Sequence, residues 1–264
     1  MIAVDPSLLA LLFSVALLAG ALDAIAGGGA LLTIPALLLT GLDPVVAIAT
    51  SKAQSSFGNA SACAYFARRG FYGWRRGLAI ALVAAGFGAL GALLITFVPR
   101  RVLIAAVPLV LIGVALYFAF GHRPREGERR ARLAFPRFVA LVIPPLALYD
   151  GVFGPGTGMF MMMAFVLLNG RHIVDANAQT KLSNTSSNLG AFLSFLASGH
   201  IEWRIAAVMI VGAVAGGQLG SHLALRHGAR IIRPVVVVFC CVLAVKLLAD
   251  PANPLRMWVM SLVR

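Results

Sequence analysis

Asp23-Ala24-Ile25-Ala26-Gly27-Gly28-Gly29 runs directly into the apolar stretch Ala30 to Leu42, and 127 residues later Asp150-Gly151-Val152-Phe153-Gly154-Pro155-Gly156 runs into Thr157 to Asn169. Each copy holds an acid, a glycine-rich break and then 13 residues that are mostly apolar. As a helix, such a stretch reaches only about 20 Å, short of the ~30 Å of bilayer hydrocarbon. Irregular backbone at membrane depth survives only where protein buries it or water reaches it. The pair therefore predicts two broken or re-entrant helices facing a cavity, one in each half of the chain. The start of each short helix would aim free N–H groups and a positive dipole end at that cavity, which suits an anion.

Outward from this pair the halves keep matching, at an offset of 129: Gly41 with Gly170, Lys52 with Lys181, Asn59 with Asn188, Gly70 with Gly199, Trp74-Arg75 with Trp203-Arg204, and Gly88 and Gly91 with Gly217 and Gly220. Each half reads as five apolar segments. The first set is about Ser7 to Ala26, Ala30 to Leu42, Val46 to Ala67, Gly77 to Val98 and Val102 to Phe120. The second is about Phe138 to Phe153, Thr157 to Asn169, Val174 to Ala197, Arg204 to Leu225 and Ile231 to Ala249. This divides the chain into a first transmembrane repeat (1–120), an Arg-rich cytoplasmic loop (121–137), a second repeat (138–250) and a C-terminal tail (251–264).

Composition agrees with a bilayer as solvent: 60% of the 264 residues are hydrophobic and 12% charged, with a mean hydropathy of +0.93. The net charge of +13 does not point to nucleic acid, because the arginines sit in turns between apolar segments rather than on a continuous basic face. Counted by loop side, Lys and Arg divide fourteen to five for five segments per half, which places the halves in opposite orientations with both termini periplasmic. Merging the two segments around each glycine break gives eight spans, parallel halves and a split of thirteen to six. Charge leaves both open, and the inverted arrangement is preferred because such repeats are common in transporters. The first charge in the chain is Asp5, so the run Ser7 to Leu22 lacks the basic start of a signal peptide and is expected to be structural.

Nearly all 19 arginines lie in loops, whereas the three lysines, Lys52, Lys181 and Lys246, lie within apolar segments. A charge in a membrane is costly unless paired or hydrated, and marks a functional site by default. Lys52 and Lys181 are repeat equivalents, as are Asp23 and Asp150, which would pair with the lysines or carry protons. Lys246 has no counterpart and is expected to snorkel. Lys52, Ser55, Ser56 and Asn59 share one helical face, as do Lys181, Asn184, Thr185 and Asn188, flanked by Thr180 and Ser187. Hydroxyls and amides around a lysine can replace the hydration shell of an oxyanion. The bland alternative for these stripes is interhelical hydrogen bonding. The expected substrate-binding set is Ser51, Lys52, Ser55, Asn59, Gly27, Gly28, Gly29, Gly154, Gly156, Thr157, Thr180, Lys181, Asn184 and Asn188.

Other features read as packing. Gly212, Gly216 and Gly220 form a ridge of small residues, Met159 to Met163 fills volume, and Trp74 and Trp203 anchor at interfaces. Cys63, Cys240 and Cys241 and the histidines show no metal-ligand spacing, and no cofactor is implied. A membrane enzyme would need a nucleophile beside a base, which no Cys, Ser or His supplies near Asp23 or Asp150.

The stretches Asp23 to Gly29, Ile34-Pro35 and Ala49-Thr-Ser-Lys-Ala-Gln54, with Tyr149 to Gly158 and Thr180-Lys-Leu-Ser-Asn-Thr-Ser-Ser-Asn188, resemble the TauE/SafE sulfite exporter family over nearly the whole chain. The first glycine run is one or two residues shorter than is frequent in that family. The resemblance implies transport of sulfite, sulfonates, thiosulfate or small organic acids without ATP, with proton coupling. The expectation is thus an all-α polytopic protein of the bacterial inner membrane, with a small anion, lipid and protons as partners, and homo-oligomerisation left open. A passive anion channel is the alternative.

Overall fold

The computed structural model describes residues 5–99, 101–103, 109, 112 and 131–227. Most of both fifth segments, most of the Arg-rich loop, the C-terminal tail, Lys246, Cys240 and Cys241 lie outside the described residues.

Helix α1 (Pro6–Ala26) starts on a proline, whose missing N–H costs nothing there, and ends at Gly27 in the left-handed region (φ 80°). Helix α2 (Ala30–Leu39) is short, as the sequence implies. Helix α3 (Pro44–Ala67) begins with Pro44 and an Asp43 carboxylate that accepts from the Val45 N–H at 2.9 Å. Helix α4 (Trp74–Leu94) tightens into a 3-10 turn at Ile95–Phe97. The second half repeats the series with α7 (Thr157–Leu167), α8 (Ile173–Ser198) and α9 (Trp203–His227).

Its first segment, expected at about Phe138 to Phe153, is present as a span interrupted once. The chain forms α5 (Phe135–Leu141) and α6 (Ile143–Val152), broken at Val142. Pro144 and Pro145 supply no N–H to the preceding turn and crowd its carbonyls, which separates the two pieces.

Four described stretches are long and apolar enough to cross a membrane: Pro6–Ile25, Trp74–Phe97, Phe135–Val152 and Trp203–Leu225. Helices α3 and α8 have the length, at 24 and 26 residues, but are diluted by their polar stripes. Leu11, Leu18, Leu82, Leu141, Val211 and Leu219 are all exposed, an outer apolar surface that suits lipid and not water.

The halves pack reciprocally. A Cβ on Gly88 would lie 2.2 Å from the Ser187 carbonyl oxygen, and one on its equivalent Gly217 would lie 2.6 Å from that of Gly58, the equivalent of Ser187. Gly91 meets Leu148 at 2.3 Å, and Gly220 meets the equivalent Ala21 at 2.2 Å. Thus α1 rests on α9 of the other half, α6 rests on α4, and α3 meets α8 at the centre. The expected glycine ridge lies on this seam: Gly212, Gly216 and Gly220 face the backbone of Phe13, Leu17 and Ala21.

Hydrogen bonds fix the helix directions. Thr50, early in α3, receives the Glu202 N–H just past the end of α8 at 3.1 Å. Phe71 and Tyr72, just past α3, bond Gln179 and Ala178 early in α8, at 3.3 and 3.0 Å. The equivalent helices α3 and α8 therefore run antiparallel.

Candidate functional site

The two repeat-equivalent lysines are buried, at 2% exposure for Lys52 and 0% for Lys181, and each is paired across the half boundary. Lys52 Nζ, on α3, lies 2.9 Å from Asp150 Oδ1, on α6. It also donates to Asn188 Oδ1 at 3.1 Å. Asn188 Nδ2 and the Ser187 hydroxyl both donate to Asp150 Oδ2, the former at 3.0 Å. The reciprocal pair is looser. Lys181 Nζ, on α8, lies 3.6 Å from Asp23 Oδ2, on α1, and also donates to the Asp23 main-chain carbonyl.

Between the pairs, the two glycine breaks touch. A Cβ on Gly27 would lie 2.5 Å from the Gly158 backbone, and one on Gly158 2.4 Å from Gly27 Cα. Only residues without side chains permit that approach. Gly154 and Gly156 take φ 98° and 80°, and the Gly154 Cβ direction points at Lys52 Nζ, 2.7 Å away. The Asp23 carboxylate occupies the start of α2, accepting the Gly29 N–H at 3.0 Å. The protein's own anion thus sits at the positive end of the short helix.

A family model described as sulfite exporter TauE/SafE matches residues 12–247. The chain belongs to the TauE/SafE family. Relatives extend over almost its full length. A "Probable membrane transporter protein ORF9" of Sinorhizobium sp is 44% identical over 96% of this chain and 97% of its own. The "Probable membrane transporter protein YfcA" of Escherichia coli K12 is 41% identical over 94% and 92%. A "Probable membrane transporter protein" of Haemophilus influenzae is 40% identical over 92% and 95%. No solved structure matches. With its apolar spans, this TauE/SafE chain is a multi-pass bacterial membrane transporter.

The sequence-predicted residues of this TauE/SafE chain divide by place. Lys52 and Asn188 join Asp150, and Lys181 and Gly29 join Asp23, while Gly27 and Gly154 stand at the breaks. A Cβ on Gly28 would meet only the flexible end of Met159. Ser55 and Asn59 line a small cleft with Asp23, Gly29 and Gln54. Asn184 reaches the crossing itself, its Nδ2 lying 2.7 Å from a Cβ placed on Gly158. Two others are less available than their positions suggest: Ser51 shares a 2.7 Å hydrogen bond with Thr33, and the Thr157 hydroxyl donates to the Gly154 carbonyl at 2.8 Å. Thr180 Oγ1 is buried with no hydrogen-bond partner among the described residues.

Two contributors had weaker sequence signals. Ser187 flanks the polar stripe yet supplies a donor to Asp150. Tyr149 donates its hydroxyl to the Pro155 carbonyl at 2.8 Å, latching the second break. Among the described residues no group of three His, Cys, Asp or Glu is placed to hold a metal.

Proposed function

We propose that this protein is a secondary transporter of small anions, with sulfite and related sulfur oxyanions the first candidates in keeping with the family's description. The observation that carries the reading is the crossed pairing: two buried lysines, each neutralised by an aspartate of the opposite half, flank the contact between the two glycine breaks. A buried ammonium stripped of its partner costs several kcal/mol, so each lysine holds a carboxylate until another anion replaces it. The site charge stays constant if the displaced aspartate takes up one proton for each anion bound. That stoichiometry moves one proton with one singly charged anion and no net charge. The serine, threonine and asparagine side chains of α3 and α8 would complete the anion's hydrogen bonds.

The antiparallel course of α3 and α8 supports insertion of the halves in opposite orientations, with the site at their shared boundary. Alternate exposure then follows from rocking one half against the other.

The test is uptake of sulfite, thiosulfate and sulfoacetate by purified protein in liposomes. Saturable uptake that an inward proton gradient drives uphill is expected, and its loss in the double variant Lys52→Ala, Lys181→Ala. Undiminished flux in that variant would sink the site, and flux that never saturates or accumulates would mark a channel.

A further inference from the structure

The two lysine–aspartate pairs are equivalent in sequence and unlike in surroundings. Asp150, 3% exposed, is met by donors alone: the Lys52 ammonium, the Ser187 hydroxyl and the Asn188 amide. Asn188 is fully engaged, since its Oδ1 accepts from Lys52 and its Nδ2 also donates to the Asn184 carbonyl at 2.8 Å. A protonated carboxyl could pass its O–H only to the Ser187 hydroxyl, which would first have to turn its own hydrogen to the Asn184 carbonyl, 3.3 Å away. The Lys52 ammonium at 2.9 Å and the two further donors hold this carboxylate in place.

Asp23 also faces donors, the Gly29 N–H at 3.0 Å and the Lys181 ammonium at 3.6 Å, but among the described residues no side-chain hydroxyl or amide bonds it. Its side chain is 14% exposed and borders a small cleft with room for about one water molecule. Asn59, the equivalent of Asn188, lines the same cleft, is only 4% exposed, and leaves Oδ1 without a hydrogen-bond partner among the described residues. A buried amide oxygen left unpaired is costly, and a donor arriving in the cleft relieves it. The O–H of a protonated Asp23 is such a donor. The lining differs between the halves: Ala19, Gly20 and Gly58 in the first are Leu146, Ala147 and Ser187 in the second. Lys181 on α8 is the charged group facing Asp23. The packed elements α2, α3 and α9 present Gly29, Ser55, Gly58, Asn59 and Ala213, none of which titrates.

We propose that Asp23 is the carboxyl that exchanges the transported proton, with Asn59 the acceptor for its O–H, while Asp150 stays ionised as a clasp between the halves. This rests on the transport reading above and narrows it to one of two sites. On protonation the proton resides on the Asp23 carboxyl, Lys181 keeps its own three, and the ammonium becomes the seat for the incoming anion.

The experiment is pH-titrated infrared difference spectroscopy of the full chain in lipid. Acidification is expected to bring up a carboxylic C=O band that Asp23→Asn removes and Asp150→Asn leaves in place. Asn59→Leu is expected to move the titration of that band to lower pH, which a merely structural asparagine would not do. A band that survives Asp23→Asn overturns the proposal, and so does an unmoved titration in Asn59→Leu, a result that stands even if Asp150→Asn does not fold. The spectrum does not depend on cargo. An Asp23 band without sulfite flux fails the transport reading alone, and sulfite flux without an Asp23 band fails this proposal alone.

Discussion

Replacing Gly158 by alanine puts the contact between the two glycine breaks to a direct test. Gly158 is the second residue of α7 and does not have a positive φ, so alanine brings no backbone strain and improves local helix propensity by roughly 1 kcal/mol. The cost is steric. The new Cβ would stand 2.4 Å from Gly27 Cα and 2.7 Å from both the Gly27 carbonyl oxygen and Asn184 Nδ2. Ordinary contact begins near 3.4 Å, so the two breaks must part by about 1 Å. Both ion pairs are positioned from those breaks, and a displacement of about 1 Å at a reacting site costs on the order of 100-fold in rate. Uptake into liposomes should therefore fall by about that factor while helix content and monodispersity persist. Gly86→Ala is the control, since a Cβ there meets nothing within 4 Å. Wild-type flux in Gly158→Ala, or an equal loss in Gly86→Ala, would refute the reasoning.

Lys52→Ala should lower thermal stability in detergent, because removing one partner of a buried pair costs about 3–5 kcal/mol and leaves Asp150 with uncharged donors only. Tyr149→Phe should cost about 1 kcal/mol in the same measurement by releasing the Pro155 carbonyl, with the fold intact. Gly216→Leu should prevent α1 from seating on α9, since even a Cβ there lies 2.0 Å from the Leu17 carbonyl oxygen; the expected result is aggregation on size-exclusion chromatography. Trp74→Cys and Trp203→Cys, exposed at the starts of equivalent helices, should react with an impermeant thiol reagent from opposite faces of the membrane once the native cysteines are replaced.

The broken helices were legible because Gly27 and Gly154 carry a conformation closed to other residues, and a run of 13 apolar residues is too short to span. The shared faces of Lys52 with Asn59 and of Lys181 with Asn188 were legible from helical spacing. Which helix each face meets was not, because spacing along one helix says nothing of the neighbour's rotation. The crossing of Lys52 to Asp150 and Lys181 to Asp23 came only with coordinates. The break at Val142 was written in Pro144 and Pro145, although an apolar run drew them into one segment. The difference between the two aspartate sites was present in the repeat itself, as glycine at 58 against serine at 187, and gained meaning only beside the aspartates.

The exchange of partners between halves has a consequence for biogenesis. Helix α1 leaves the ribosome well before α9, on which it rests and which lies close to 200 residues later in the chain. Its small-residue seam must therefore wait in lipid, unpaired, until most of the polypeptide has been inserted. Neither half should form a stable particle by itself. A gene cut in the Arg-rich loop and expressed as two polypeptides should yield two unstable fragments when they are made separately and one functional complex when they are made together.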